Sequence, residues 1–211
     1  MASEERRAAE ATEPRPDQRR LTPRGTQRRL QLIELATKKF AADGYHPTSV
    51  ADIVDGLGVG KGVFYWYFDS KEMLFEEILR DAQKDLRRRQ QRAVSDVPDP
   101  IQRMARGIRA AVHWSFEHRD LAKLFEFAQT DERFAHLIRH GRAELVGDAV
   151  PLIKEAMVDG LIPDGDPEQL GYAILGVSSN LTGVYIHQLG QDPDHIADVA
   201  VDFCLRGIGA R

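Results

Sequence analysis

The stretch from Thr48 to Glu72, TSVADIVDGLGVGKGVFYWYFDSKE, decides the fold. Ser49, with Asp52 three residues on, has the spacing of a capping box, in which each side chain satisfies the other's orphan amide at the start of a helix. That helix is very short, and Val50, Ile53, Val54 and Leu57 form its apolar edge. Gly58 suits a tight turn, Val59 plugs the corner, and Phe64 and Phe68 stand one turn apart on a second short helix, facing inward. Helices this short are unstable alone in water, so both must pack on a third. The preceding segment supplies it: Leu32, Leu35, Ala36 and Phe40 fall on one helical stripe, with Arg28, Arg29, Lys38 and Lys39 on other faces. Three helices joined in this way make a helix-turn-helix.

Beyond this stretch apolar residues recur at helical spacing almost everywhere, and no segment alternates as a strand would. The chain reads as all-α, with about nine helices near 25–43, 49–56, 60–67, 71–94, 100–118, 120–129, 132–159, 167–189 and 193–208. Asp99-Pro100, Asp166-Pro167 and Asp192-Pro193 each place an N-cap acceptor before a proline suited to a first turn. Gly44, Gly160 and Gly190 are the matching stops. Gly141, Gly147 and Pro151 predict a kink or break in the seventh helix. Residues 1–23 contain one Leu and three prolines, too little apolar surface to offset ordering, and read as a disordered arm. Arg19, Arg20 and Arg24 can follow a DNA backbone or enter a minor groove; an inert solubilising tail is the alternative.

The formal net charge of −4 is unevenly spread. Residues 19–71 hold nine Lys or Arg against five acids, so the helix-turn-helix is basic and the remainder acidic. No run approaches the ~18 to 20 apolar residues of a spanning helix, and no signal-peptide segment is visible, which predicts a cytoplasmic protein. The single cysteine, Cys204, fits that compartment and reads as a small core residue. No nucleophile motif, phosphate-binding glycine loop or HExxH pair supports an enzyme, and no cofactor is implied.

The segment resembles the DNA-binding domain of TetR-family regulators. Helix 1 ends in DGY (43–45), TSVADI (48–53) opens helix 2, and GVFYWYFDSKEMLF (62–75) follows in the family's order and spacing. A recognition helix presents its first residues to base edges, which places Lys61, Gly62 and Val63 in the major groove. There Lys61 donates to a guanine, Gly62 allows close approach, and Val63 packs on a thymine methyl. The resemblance implies that Tyr65 and Tyr67 reach phosphates through their hydroxyls and that Lys71 pairs with another. Thr48, at the start of helix 2, is a further phosphate candidate. Trp66 is expected in the core. Gly60 stands where the family usually has Ser or a similar cap, and Val63 where it often has Thr, so the helix start is weaker and one hydroxyl donor is missing.

These features divide the chain into an arm (1–23), a DNA-binding domain (24–70) and a larger helical domain (71–211). The resemblance implies that the larger domain dimerises through its last two helices and holds a small molecule between the others. Leu170, Ala173, Ile174, Val177, Leu181 and Val184, with Gly171, Gly176, Ser178 and Ser179, line helix 8; Ile196, Val199, Ala200 and Phe203 line helix 9. Such stripes fit a homodimer or an intramolecular core equally. Aromatic and polar residues crowd helices 5 to 7 and are the ligand candidates: His113, Trp114, Phe116, His118, Phe125, Phe127, Gln129, Phe134 and His136. His136 and His140, completed by His113 or Glu117, have metal-ligand spacing, although a metal is not the favoured reading. The function implied is a repressor released from double-stranded operator DNA by a small molecule that moves helix 4. An activator, or a helical protein-interaction module, remains open.

Overall fold

A computed structural model describes residues 21–210, and nine α-helices and one π-helical run appear among them. The α-helices are α1 (Pro23–Asp43), α2 (Val50–Asp55), α3 (Lys61–Tyr67), α4 (Lys71–Val94), α5 (Pro100–Glu117), α6 (Arg119–Thr130), α7 (Ala135–Val158), α8 (Pro167–Leu181) and α9 (Pro193–Gly207). A π-helical run, Thr182–Gln188, continues α8. No helix among the described residues is long and apolar enough to cross a membrane. Arg19 and Arg20 of the expected arm lie outside the described residues, and Arg24 is exposed in the first turn of α1.

The chain divides into two compact units, one ending at Phe75 and the other beginning at Glu76. In the first, Thr22 caps α1 by accepting from the Gly25 amide at 3.2 Å, and Gly44 ends the helix at φ +90°. The capping box of α2 is complete. The Ser49 amide donates to Asp52 Oδ2 at 2.7 Å, and the Asp52 amide donates to Ser49 Oγ at 3.2 Å. Hydrogen bonds from Ser49 also hold the Asp52 carboxyl below its ordinary pKa. Gly58, at φ +63°, makes the turn into α3, where a Cβ would be strained. Leu32, Ile53, Phe64, Leu74 and Phe75 are fully buried, so α1, α2 and α3 share one core with the start of α4.

The second unit is a helical bundle. Met104, Ile153 and Ile208 form one core cluster; Ile108, Ala200 and Cys204 form another; Val112, Ile186 and Ile196 form a third. Gly171 lets α8 approach α7 closely, since a Cβ there would lie 2.9 Å from Val146 Cγ1. The expected break at Pro151 is absent, and α7 runs unbroken from Ala135 to Val158. The residue four back, whose carbonyl meets the proline ring, is Gly147. It is exposed, so water can take the carbonyl that the proline leaves without an amide donor.

Candidate nucleic-acid interface and effector cavity

In the first unit α3 turns Phe64 and Phe68 into the core and leaves the opposite face to solvent. Lys61 and Gly62 are exposed, Val63 is half-buried, and Tyr65 is 53% exposed. No atom lies within 4 Å of a Cβ built on Gly62, so the backbone there is open to close approach. Gly60 caps the helix without a side-chain hydrogen bond, as its lack of a hydroxyl dictates. Tyr67 is half-buried, its hydroxyl 3.6 Å from a Cβ built on Gly25. A groove of about 470 Å³ runs between the start of α1 and α3, with Arg24 and Arg28 on one wall and Val63, Trp66 and Tyr67 on the other. Trp66 is 51% exposed and not in the core: on a helix whose buried stripe is Phe64 and Phe68, position 66 points away.

Two expected phosphate contacts are occupied differently. Thr48 is 2% exposed, and its hydroxyl donates inward to the Gly44 carbonyl at 2.8 Å. The Lys71 ammonium donates to the Tyr45 and Thr48 carbonyls, both at 2.9 Å, and sits 4.3 Å from the Tyr45 ring centroid. It closes the connection between α1 and α2. Tyr45 Oη adds a hydrogen bond to Glu72 at 2.9 Å.

The second unit contains a cavity of about 660 Å³ walled by α4 to α8. Of the residues expected at a ligand site, Trp114, Phe125 and Gln129 line it, whereas His113, Phe116, His118 and His136 do not. His113 faces α9, its Nε2 3.3 Å from Asp194, and Phe116 packs with Ile186 and Ile196. His118 stacks on Trp114 with ring centroids 4.5 Å apart, and His136 is exposed on α7. Phe127 and Phe134 pack on each other, 6.2 Å between centroids, and are also absent from the lining. Among the described residues no group of three His, Cys, Asp or Glu is placed to hold a metal. Glu117, a considered ligand, is paired with Arg89, which lowers its pKa.

Missed by the sequence reading were the residues one helical step around α5 and α8. Ile108, Ala111, Val112 and Ser115 follow i, i+3, i+4, i+7 spacing and face the cavity, a period that would have found Ser115. Gly171, Ser178 and Ser179, read as aids to helix contact, also line it. Gln83 reaches across to the Leu137 carbonyl at 3.2 Å through space that a Cβ on Gly141 would fill. Ser115 Oγ and His187 Nε2 are 2.9 Å apart. Burial chiefly, then the charge of Arg119, lowers the pKa of His187, so the ring is neutral at pH 7. The Cys204 thiol is pushed up by burial and stays protonated.

The expected stripes of α8 and α9 split in two. Ile174, Val177 and Leu181 pack against buried core residues, and Ile196 and Ala200 are themselves buried. Val199 and Phe203 remain outside, and Tyr172, Tyr185 and Leu189, which were not among the expected residues, are exposed as well; Leu189 and Phe203 are each 61% exposed.

The profile described as "Bacterial regulatory proteins, tetR family" matches residues 32–78, and that described as "Tetracyclin repressor-like, C-terminal domain" matches 97–208. The chain belongs to the TetR family. This TetR-family regulator is 31% identical over 145 residues to the HTH-type transcriptional repressor KstR2 of Mycolicibacterium smegmatis, covering 66% of this chain and 70% of that one. Its fold is similar to a TetR-family regulator from Syntrophomonas wolfei (TM-score 0.76, 18% identity, 87% and 96% of the two chains). It is also similar to KstR2 of Mycobacterium tuberculosis, described as a ketosteroid transcriptional regulator (TM-score 0.69, 24% identity, 87% and 95%). Family membership makes the chain a DNA-binding transcription regulator and not an enzyme.

Proposed function

We propose that this regulator is a repressor whose homodimer leaves its operator when a small molecule fills the α4–α8 cavity. Lys61, Gly62 and Val63 read base edges, Tyr65 and Tyr67 hold phosphates, and Arg24 and Arg28 add positive charge beside them. Lys71 and Thr48 serve binding indirectly, by fixing the loop on which α2 and α3 are set. The relative named KstR2 is called a repressor, which favours repression over activation. The outer face of α8 and α9, with Phe203 and Leu189 exposed, is the proposed dimer surface. A two-fold dimer suits half-sites about 34 Å apart. α4 begins within the DNA-binding unit and supplies Gln83, Leu86 and Gln90 to the cavity wall, so it is the element through which occupancy acts.

The observation that carries this reading is a largely apolar cavity of ligand size in the same chain as a short helix with an open reading face. Genomic fragments selected by binding should show log affinity falling with log salt at a slope near −0.9 per phosphate neutralised. Compounds that bind the cavity should release them. Saturating the cavity without changing fragment affinity would refute the regulatory part.

A further inference from the structure

The cavity has a particular chemistry. Its inner wall is apolar, from Leu86, Ile108, Val112, Phe125 and Ile174 among others. Its charged lining residues, Arg119, Asp120, Lys123, Glu126 and Arg142, are all exposed, which puts both signs of charge where water screens them. The buried polar groups at the wall are uncharged. Ser178 is 8% exposed, but its Oγ is sealed from solvent and lies against the buried Cys204 thiol of α9, so it is not offered to the cavity. Thr182, one turn on, spends its own hydrogen on the Ser178 carbonyl at 2.7 Å. Further along the π-helical run His187 meets Ser115 at 2.9 Å, and this pair offers both donor and acceptor capacity.

An ionised group carried into such a site would lose its water and find no counter-charge, which is strongly unfavourable. A purely hydrocarbon ligand would strip water from the half-buried Ser115–His187 pair and give it nothing in return. An uncharged oxygen satisfies both conditions, because it costs little to desolvate once hydrogen-bonded and it replaces the water that pair loses. We infer that the effector is a largely apolar molecule whose buried part carries a neutral oxygen group, a ketone or an alcohol, received by the Ser115–His187 pair. This rests on the reading of the cavity as the effector site.

A shape-matched bicyclic series tests it by isothermal titration calorimetry on the full chain: 2-acetylnaphthalene, 1-(2-naphthyl)ethanol, 2-ethylnaphthalene and 2-naphthoate. The ketone or the alcohol should bind about five- to tenfold tighter than the hydrocarbon, the usual worth of a net hydrogen bond, and tighter than the carboxylate. In a folded Ser115→Ala, His187→Leu double variant that ratio should fall to near one while 2-ethylnaphthalene keeps its affinity. Tightest binding by 2-naphthoate, an equal loss for ketone and hydrocarbon, or an unchanged ratio in the variant would overturn the inference and leave the cavity as a ligand site. Failure of all four probes to bind would instead overturn both the inference and the effector site it rests on.

Discussion

Replacing Lys71 by Met removes the ammonium and keeps the apolar stem, so it isolates one question: whether this cation holds the fold or the nucleic acid. The structure gives it two charge-assisted hydrogen bonds, to the Tyr45 and Thr48 carbonyls at 2.9 Å, and a place over the Tyr45 ring. Hydrogen bonds to charged groups contribute about 1.5 to 3 kcal/mol each, and partial exposure of Lys71 puts these at the low end. A loss of about 2 to 4 kcal/mol follows for Lys71→Met. At roughly 2 to 4 °C per kcal/mol for a chain of this size, Tm should fall by about 5 to 15 °C. Circular dichroism on heating measures the stability, and fluorescence anisotropy on a bound fragment measures the salt dependence. Once folded at low temperature, the variant should show a salt slope close to that of the parent. Unaltered stability together with a slope reduced by about 0.9 would mean that the ammonium neutralises a phosphate, and the structural reasoning would be refuted.

Lys61→Ala should relax preference at one base position in each half-site, by about 1 to 3 kcal/mol of discrimination, while other positions keep theirs; binding selections from a randomised site read this directly. Phe203→Glu places a charge on the exposed face of α9 and should shift sedimentation from dimer to monomer without lowering helicity. His187 has a folded pKa below its unfolded value of about 6.5, so the unfolded chain binds the proton more readily. Its contribution is therefore complete above about pH 6.5 and is lost as pH falls below that. His187→Gln should flatten urea stability in that window relative to the parent, and an unchanged slope would contradict the buried neutral ring.

Local chemistry was legible from the sequence. The Ser49–Asp52 box, the Gly58 turn and the Phe64/Phe68 stripe involve neighbours a few residues apart, and all appear as read. The Asp-Pro helix starts at 99, 166 and 192 cap as expected for the same reason. The misplacements concern long-range partners. Lys71 meets carbonyls 23 and 26 residues away, which composition and spacing do not encode. On α5, His113, Phe116 and His118 were chosen for their residue type, yet rotation about the helix axis decides what faces a cavity. Counting from Ile108 selects Ser115, while His113 turns to α9. Pro151 does not break the helix, because the carbonyl four residues back belongs to the exposed Gly147 and water can stand in for the missing amide.

The seven-residue π stretch at the end of α8 is wound more loosely than the helix before it, as though one residue too many had been threaded into the coil. Deleting a single codon there removes the surplus residue, so the backbone should relax to ordinary winding while the chain beyond keeps its direction around the axis. The same deletion in the regular part of α8 would instead turn everything downstream by roughly 100° and carry the imidazole at 187 off the cavity wall. A change of length is thus absorbed at this one place, and the wall beyond it keeps its chemistry.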